Sequence, residues 1–229
     1  MARPDRVVAV VGTGTDVGKT WVTARLIRQL REGGISVAAR KPAQSFDPTD
    51  DPSGNDATVL GAASGEAPET VCPAHRWYEV AMAPPMAAAA LGRPALTLAE
   101  LVDDLRWPEE LVEVGFIETA GGLRSPIADD GDCLGLVKAV APDCVLLVAD
   151  AGLGTINSVR LTVDALGELS VPIFVVLNRF DPASDLQRRN QAWLDGRDRL
   201  HVSTTPGGEA DLAKLVRTVE GQVGGGGDG

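Results

Sequence analysis

The stretch VVGTGTDVGKTWVTARL, residues 10–26, decides the fold, because it joins an apolar strand, a glycine-rich turn and a helix. Glycines in such a turn let backbone N–H groups surround an anion, and the N-terminus of the following helix adds a positive dipole. Lys19 and Thr20 stand where a phosphate loop carries its phosphate-binding lysine and its Mg²⁺-binding hydroxyl. The stretch therefore predicts a nucleoside triphosphate site, with the first glycine one residue earlier than in GxxxxGK[ST].

Short apolar runs recur along the rest of the chain, with helix-like segments between them. We predict strands over 6–11, 35–41, 114–119, 144–150, 172–178 and 200–203, and helices over 18–32, 56–63, 85–91, 97–106, 155–168, 184–194 and 209–219. This alternation is typical of a parallel sheet covered on both faces. We expect an α/β fold of the P-loop NTPase type, a three-layer open parallel sheet with helices on both faces. One domain should span residues 1–220, followed by a disordered glycine-rich tail over 221–229.

Composition disfavours several classes of partner. The chain has 32 acidic and 21 basic residues and a formal net charge of −11, which is unsuited to binding nucleic acid. No apolar run approaches the roughly 20 residues of a membrane span, and the first residues lack a signal-peptide pattern. We therefore expect a cytoplasmic protein with a small-molecule partner. Three cysteines without a CxxC pair indicate neither a zinc site nor a disulfide framework.

Polar residues follow the second and third strands, and the carboxyl ends of parallel strands form the usual ligand-binding edge of such sheets. Lys41 either stabilises charge on a transferring phosphoryl group or simply extends to solvent. Glu118 is placed as a Mg²⁺-directed carboxylate, and Asp56 opens a helix as either a metal ligand or an N-cap. Together with Thr20, these two carboxylates offer the hard oxygen ligands that Mg²⁺ prefers.

The fourth and fifth strands also end in polar or turn-forming residues. Gly154 permits a tight turn, and the helix start at Thr155 and Asn157 is either simply capped or binds a carboxylate. The amide of Asn178 could pair with a base edge. Residues 82–90, MAPPMAAAA, form a loop entering an alanine-rich helix, which serves either packing or one wall of a pocket.

Five motifs, taken in chain order, resemble those of the dethiobiotin synthetases. They are GTGTDVGKT at 12–20, RKPAQS at 40–45, NDA at 55–57, ETAGG at 118–122 and LGTIN at 153–157. Thr119 departs from the family's EGAGG, and we expect its side chain to occupy space where the backbone should approach phosphate or carbamate. The family's GxIP element near the carboxyl end is also missing.

The resemblance implies an ATP-dependent carboxylation and ring closure in biotin biosynthesis. Diaminononanoate and CO₂ would form a carbamate, the carbamate would attack the γ-phosphate to give a carbamic-phosphoric anhydride, and the second amine would close the cyclic urea. Lys41 and Lys19 would be catalytic, with ATP or another nucleoside triphosphate as co-substrate. The implied nucleotide contacts are Gly14, Thr15, Asp16, Val17, Gly18, Lys19, Thr20, Trp21, Asp56, Glu118, Thr119, Ala120, Gly121, Asn178, Arg179 and Pro206.

The resemblance also implies a metal, a substrate site and a homodimer. Mg²⁺ would lie on Thr20, Asp56 and Glu118. Ser45 would contact the diamino acid. The segment from Gly154 through Thr155 to Asn157 of one subunit would contact the carboxylate of substrate bound mainly to the other.

Two alternatives remain open on the sequence. The substitution at Thr119 would suit a P-loop relative with a changed substrate, such as an amide ligase. The NRFD sequence at 178–181 resembles the guanine-reading NKxD of GTPases, which would suit a nucleotide-dependent switch or partitioning protein. Partitioning ATPases usually carry a second lysine near the start of the phosphate loop, and this loop has none.

Overall fold

The strands of the computed structural model, which describes residues 2–218, agree with the sequence pattern. They are β1 (Arg6–Gly12), β2 (Val37–Arg40), β3 (Gln44–Ser45), β4 (Trp77–Tyr78), β5 (Val114–Glu118), β6 (Pro126–Ala128), β7 (Gly131–Asp132), β8 (Cys144–Asp150), β9 (Ile173–Asn178) and β10 (His201–Thr204). All six predicted strands are present within two residues at each end. The expected tail over 221–229 lies outside the described residues.

The helices include all seven predicted segments and two more. They are α1 (Lys19–Glu32), α2 (Asp56–Ser64), α3 (Pro68–Val71), α4 (Pro84–Ala90), α5 (Leu98–Asp103), α6 (Cys133–Val140), α7 (Thr155–Leu166), α8 (Asp185–Gly196) and α9 (Glu209–Thr218). The sequence does not predict α3, a single turn, or α6, whose apolar run is ambiguous between helix and strand. The start of α6 is fixed by Asp132, whose side chain accepts a hydrogen bond of 2.9 Å from Gly135 N.

Six strands form one parallel sheet in the order β10-β9-β8-β1-β5-β2. The chain leaves β1 toward β2 on one side and later leaves β8 toward β9 on the other. Connections that diverge in this way open a crevice at the carboxyl ends of β1 and β8. The phosphate loop follows β1 directly, so it lies at this crevice.

Both faces of the sheet are covered, as the continuous apolar strands predict. On β1, Val8 and Val10 belong to a buried cluster that includes residues of α1, α2 and α9. Ala9 and Val11 belong to the opposite cluster, which includes residues of α6, α7 and α8. Alternate side chains of a strand point to opposite faces, so a doubly covered strand must be apolar at every position. The predicted three-layer α/β fold is confirmed.

Among residues 2–218, no helix is both long and apolar enough to cross a membrane. All three cysteines are buried and unpaired with one another.

Candidate active site

A cavity of about 1020 Å³ opens at the carboxyl edge of the sheet. It brings together the phosphate loop, the chain after β2, the start of α2 and the segment after β5. Of the predicted site residues, its lining contains Thr15, Asp16, Gly18, Lys19, Thr20, Trp21, Lys41, Ser45, Asp56, Ala120, Gly121 and Arg179. A second cavity of about 280 Å³ is lined by Gly18, Trp21, Asn178, Arg179 and Pro206.

The phosphate loop needs glycine at two positions because of close contacts. A Cβ on Gly12 would lie 2.9 Å from the carbonyl oxygen of Gly14. Gly18 has a φ of +90°, and a Cβ there would lie 2.1 Å from Nδ2 of Asn178. The helix α1 then begins without a side-chain cap at Gly18. Uncapped N–H groups at a helix start are suited to an anion.

Lys19 is buried inside this loop, with 7% of the residue exposed. Its Nζ donates to the carbonyl oxygens of Gly14 at 3.1 Å and Gly121 at 2.7 Å. Burial, and next the positive charge of Lys41, lower the pKa of Lys19 below its ordinary value. An ammonium held only by neutral carbonyls at these distances is well disposed toward an incoming anion.

Lys41 follows β2 and lies in a different environment. The residue is 1% exposed, so the alternative in which it extends to solvent is wrong. Its Nζ lies 2.7 Å from Oδ2 of Asp56 and 2.9 Å from Oε1 of Glu118, and it donates to the carbonyl oxygen of Thr119 at 3.0 Å. Burial acts to lower the pKa of Lys41, but the two carboxylates outweigh it and raise the pKa above its ordinary value.

Thr20, Asp56 and Glu118 meet beside Lys41. The Thr20 hydroxyl lies 2.6 Å from Oδ1 of Asp56 and 2.7 Å from Oε1 of Glu118. Asp56 is the first residue of α2 and Asn55 is the N-cap, so the N-cap alternative for Asp56 is wrong. Burial acts to raise the pKa of Asp56, but Lys41 and then the Thr20 hydroxyl outweigh it and lower the pKa.

The donor set of this cluster fits a hard cation. Two carboxylates and one hydroxyl are the oxygen ligands that Mg²⁺ binds in phosphoryl-transfer sites, where phosphate oxygens and water complete the octahedron. Within residues 2–218, no group of three or more His, Cys, Asp or Glu side chains could hold a metal. A cation here would therefore need oxygens from a bound ligand as well.

Thr119 does not crowd the cavity, so the expected steric effect of its side chain is wrong. The side chain is fully buried, and its hydroxyl donates to the carbonyl oxygen of Val10 at 3.2 Å. The backbone N–H of Thr119 donates to the same oxygen at 3.0 Å. The residue thus continues the pairing of β5 with β1, and its side chain turns toward β1 while its carbonyl faces Lys41.

Asn178 lies against the phosphate loop, at the end of β9. Its Nδ2 donates to the carbonyl oxygen of Val17 at 3.0 Å, and its Oδ1 accepts from the Thr205 hydroxyl at 3.0 Å. The amide is therefore already engaged within the protein on both its donor and acceptor sides. Beside it, Arg179 donates to the carbonyl oxygen of Asp16 at 2.7 Å.

The segment of Gly154, Thr155 and Asn157 lines neither of these two cavities. Gly154 is the N-cap of α7, with a φ of +91° and no side-chain cap, so capping by Thr155 or Asn157 is not observed. The hydroxyl of Thr155 is buried without a hydrogen-bond partner among residues 2–218. Leu153, just before this segment, is 91% exposed.

The sequence did not identify Gln44 as a site residue, and it left open whether the MAPPMAAAA segment serves packing or forms a wall of a pocket. Oε1 of Gln44 accepts a hydrogen bond of 2.9 Å from Ala57 N, which ties the chain after Lys41 to the first turn of α2. Its place in the RKPAQS motif was the available signal. Residues 81–84 line the larger cavity and lead into α4, so this segment forms a wall as well as a helix.

Comparisons with known proteins identify relatives over most of the chain. A family model described as an AAA domain matches residues 6–202. The ATP-dependent dethiobiotin synthetase BioD of Anaeromyxobacter dehalogenans is 40% identical over 217 residues, covering 92% of this chain and 93% of the relative. The protein of the same name from Haloferax mediterranei is 36% identical over 199 residues, covering 86% of this chain and 82% of the relative.

Solved structures with much lower identity share the fold. A plasmid partition protein from Borrelia burgdorferi superposes with a TM-score of 0.55 at 12% identity, covering 94% of this chain and 97% of the other. The signal recognition particle receptor FtsY of Elizabethkingia anophelis, in complex with GDP, gives 0.52 at 17% identity, covering 96% and 66%. The sequence relatives, at far higher identity, decide the family. This chain belongs to the dethiobiotin synthetases, a family built on the P-loop fold.

Proposed function

We propose that this protein forms dethiobiotin from 7,8-diaminononanoate, CO₂ and ATP, through a carbamic-phosphoric anhydride. The observation that carries the proposal is the meeting of Lys41, Asp56, Glu118 and Thr20 beside the phosphate loop, in a chain of this family. The reaction needs cations around the transferring phosphoryl group and two amines held in place, rather than a covalent step on the protein.

Lys19 and the uncapped start of α1 bind the triphosphate in this proposal. Backbone N–H groups of residues 14–20 contact the phosphate oxygens, and Lys19 exchanges its two carbonyl partners for them. Thr20, Asp56 and Glu118 would hold Mg²⁺, which would neutralise charge on the phosphate oxygens. Gly121, whose carbonyl now accepts from Lys19, adjoins this site.

Lys41 acts on the reacting groups. Its raised pKa keeps the ammonium charged at neutral pH. A permanently charged, buried donor stabilises negative charge that develops between the carbamate oxygen and the γ-phosphate, and it does so without reorganising. Asp56 and Glu118 fix its Nζ, so the charge is held in one place.

In this proposal the diamino acid occupies the larger cavity beside the nucleotide. Ser45 and residues 81–84 line this cavity, together with Asp47, Asp50 and Asp51. A cationic diamine is attracted to such an acidic wall. The apolar side chains of 81–84 are suited to its hydrocarbon chain.

A homodimer in the cytoplasm completes the proposal. Gly154, Thr155 and Asn157 line neither cavity, and the neighbouring Leu153 is almost fully exposed, which supports a role toward substrate bound in a partner subunit. Light scattering after size exclusion tests the dimer, and a monomer at assay concentration would remove this part. Leu153→Ser should shift the equilibrium toward monomer.

The two alternatives are not favoured. Relatives at 33–40% identity carry the dethiobiotin synthetase name, whereas the partition protein shares 12% identity and therefore shows the fold alone. Thr119, which motivated a changed substrate, turns its side chain away from the cavity.

The test is an assay with ATP, Mg²⁺, ¹³C-bicarbonate and diaminononanoate, followed by mass spectrometry. We expect a cyclic urea that carries one ¹³C atom, with ADP and phosphate formed in equal amounts. A folded, ATP-binding sample that makes no urea would reject the proposed function. Omission of bicarbonate is the matched control for the labelled carbon.

A further inference from the structure

The second cavity has two walls that come from distant parts of the chain. Trp21, on the first turn of α1, and Pro206, in the loop between β10 and α9, both line it. Gly18 joins this cavity to the phosphate loop. In the proposed function a triphosphate lies along residues 14–20, so the nucleoside extends into this adjoining space.

One side chain outside the cavity contacts the wall on α1. The guanidinium carbon of Arg25 lies 4.8 Å from the ring centroid of Trp21, one helical turn away. A cation at this distance is attracted to the indole ring and restricts its rotamers. Arg25 thereby contacts the ring of Trp21, which is 42% exposed to solvent.

The same guanidinium reaches the other wall through Glu209. Nε of Arg25 donates to Oε1 of Glu209 at 2.6 Å, and Oε2 of Glu209 accepts from the backbone N–H of Gly207 at 2.7 Å. Gly207 directly follows Pro206. Burial acts to raise the pKa of Glu209, but backbone N–H groups and Arg25 outweigh it and lower the pKa.

We infer that Arg25 is a positioning residue for the nucleotide base, because it links the Trp21 wall of the second cavity to the Pro206 wall through Glu209. The inference rests on the proposed function for the identity of the ligand as a nucleoside triphosphate. Arg25 lines neither cavity, so it acts on the ligand only through these two walls. Arg25 should therefore affect the binding of the base and leave the binding of the phosphates unchanged.

The expected effect is modest, since the Arg25 side chain is 44% exposed and that of Glu209 is 10% exposed. Partly exposed ion pairs and cation–π contacts are individually weak. We expect Arg25→Met, which keeps the aliphatic stem, to raise the Kd for ATP by about 3- to 10-fold.

The experiment measures two probes by isothermal titration calorimetry with Mg²⁺ present. ATP reports on base and phosphates together, and inorganic tripolyphosphate reports on the phosphates alone. Arg25→Met should weaken the binding of ATP and leave the Kd for tripolyphosphate within about twofold of the wild-type value. In turnover, KM for ATP should rise by the same factor as the Kd, with kcat unchanged at saturation. Arg28→Met, another exposed arginine of α1, is the control and should change neither Kd.

A second variant separates positioning from general damage to α1. Glu209→Gln keeps an acceptor for Gly207 but removes the charge that holds Arg25, so it should reproduce part of the effect. The double variant should lose no more ATP affinity than Arg25→Met alone. Three outcomes would each overturn the inference. They are an unchanged Kd for ATP in Arg25→Met, an equal loss of affinity for ATP and tripolyphosphate in that variant, and a wild-type protein that binds tripolyphosphate as tightly as ATP. None of these outcomes depends on dethiobiotin formation, which the ¹³C assay tests separately.

Discussion

Lys19 in the phosphate loop and Lys41 after β2 line the same cavity, yet the groups that contact their ammonium groups differ in charge. The ammonium of Lys19 contacts two neutral carbonyl oxygens, those of Gly14 and Gly121. The ammonium of Lys41 contacts two carboxylates and one carbonyl oxygen. Burial works against the charge of both lysines, but only Lys41 has counter-charges that outweigh it, so the pKa of Lys19 is lowered and that of Lys41 is raised.

The difference indicates which lysine depends on a ligand. A buried cation whose counter-charges do not outweigh its burial is stabilised when an anion arrives, so Lys19 gains a directly bound anionic partner only on binding. A buried cation with two counter-ions is already part of the fold, so Lys41 is fixed before any ligand enters. We therefore expect Lys19 to contribute mainly to the affinity for the nucleotide. We expect Lys41 to contribute both to the stability of the fold and to turnover.

Lys41→Met should give the largest effect. Removing the cation takes away the charge proposed to stabilise phosphoryl transfer, and we expect kcat to fall by about 10³-fold or more. Asp56 and Glu118 would also lose their buried counter-charge, which costs about 3–5 kcal/mol of folding free energy and lowers Tm by roughly 10 °C. Assays below the lowered Tm separate the two losses.

The matched control for this variant is Lys138→Met, since the ion pair of Lys138 with Glu168 is exposed. Both kcat and Tm should stay close to wild type there. The Kd for ATP should change by less than about threefold in Lys41→Met. If Lys41→Met keeps wild-type turnover, the catalytic assignment is wrong.

Lys19→Met should show the reverse pattern. We expect the Kd for ATP to rise by about 10²-fold, since a charge-assisted contact to the phosphates is lost. Folding free energy without ligand should stay within about 1 kcal/mol, because only two hydrogen bonds to carbonyls disappear and a poorly solvated charge goes with them. Calorimetry and thermal melts test both expectations, and a Tm fall as large as that of Lys41→Met would contradict the comparison.

The two lysines should also differ in how they make the stability of the fold depend on pH, in protein free of metal and nucleotide. The raised pKa of Lys41 contributes stability that is complete below its unfolded value of about 10.4 and is lost as pH rises through the folded value. The lowered pKa of Asp56 contributes stability present above about 3.9 and lost as pH falls through its folded value. Lys19 has the opposite sign to Lys41, because its cost disappears as pH rises and the group becomes neutral.

We therefore expect the Tm gap between wild type and Lys41→Met to be largest between about pH 7 and 9 and to narrow as the pH falls, because burial raises the pKa of Asp56 and the variant lacks the Lys41 charge that outweighs it. The gap should also narrow above about pH 10, where the stabilisation that Lys41 provides begins to be lost. Melting curves by circular dichroism across this range measure the gap. A gap that narrows as the pH rises from about 7 to 9 would mean that Lys41 loses its charge in that range, contrary to its raised pKa.

The sequence predicts the two lysines but not their difference. Strand periodicity and the glycine-rich turn place Lys19 and Lys41 at one sheet edge, because the carboxyl ends of parallel strands meet there. The partners of Lys41 come from α2 and β5, at sequence separations that no local pattern encodes. The same reason explains why the internal contacts of Asn178 and the link from Arg25 to Glu209 emerge only from tertiary packing.

The role of Thr119 could not be predicted from the sequence either, because residue type alone does not give the direction of a side chain at the end of a strand. The hydroxyl returns to Val10 and the carbonyl holds Lys41, so a change of side chain should affect the fold more than the reaction. We expect Thr119→Gly to lose about 1–2 kcal/mol of folding free energy, from one hydrogen bond and a more flexible backbone. Turnover should stay within about threefold, since the carbonyl contact to Lys41 remains.

Thr119→Ser is the matched control, because it keeps the hydroxyl that donates to Val10. Its folding free energy should lie closer to wild type than that of Thr119→Gly, as measured by urea denaturation with the same assay of turnover. A fall in kcat beyond about tenfold in Thr119→Gly, with serine restoring it, would show that the hydroxyl orients the carbonyl for Lys41. The environment of Lys41 would then depend on β1 as well as on its two carboxylates, and the contrast with Lys19 would extend into the centre of the sheet.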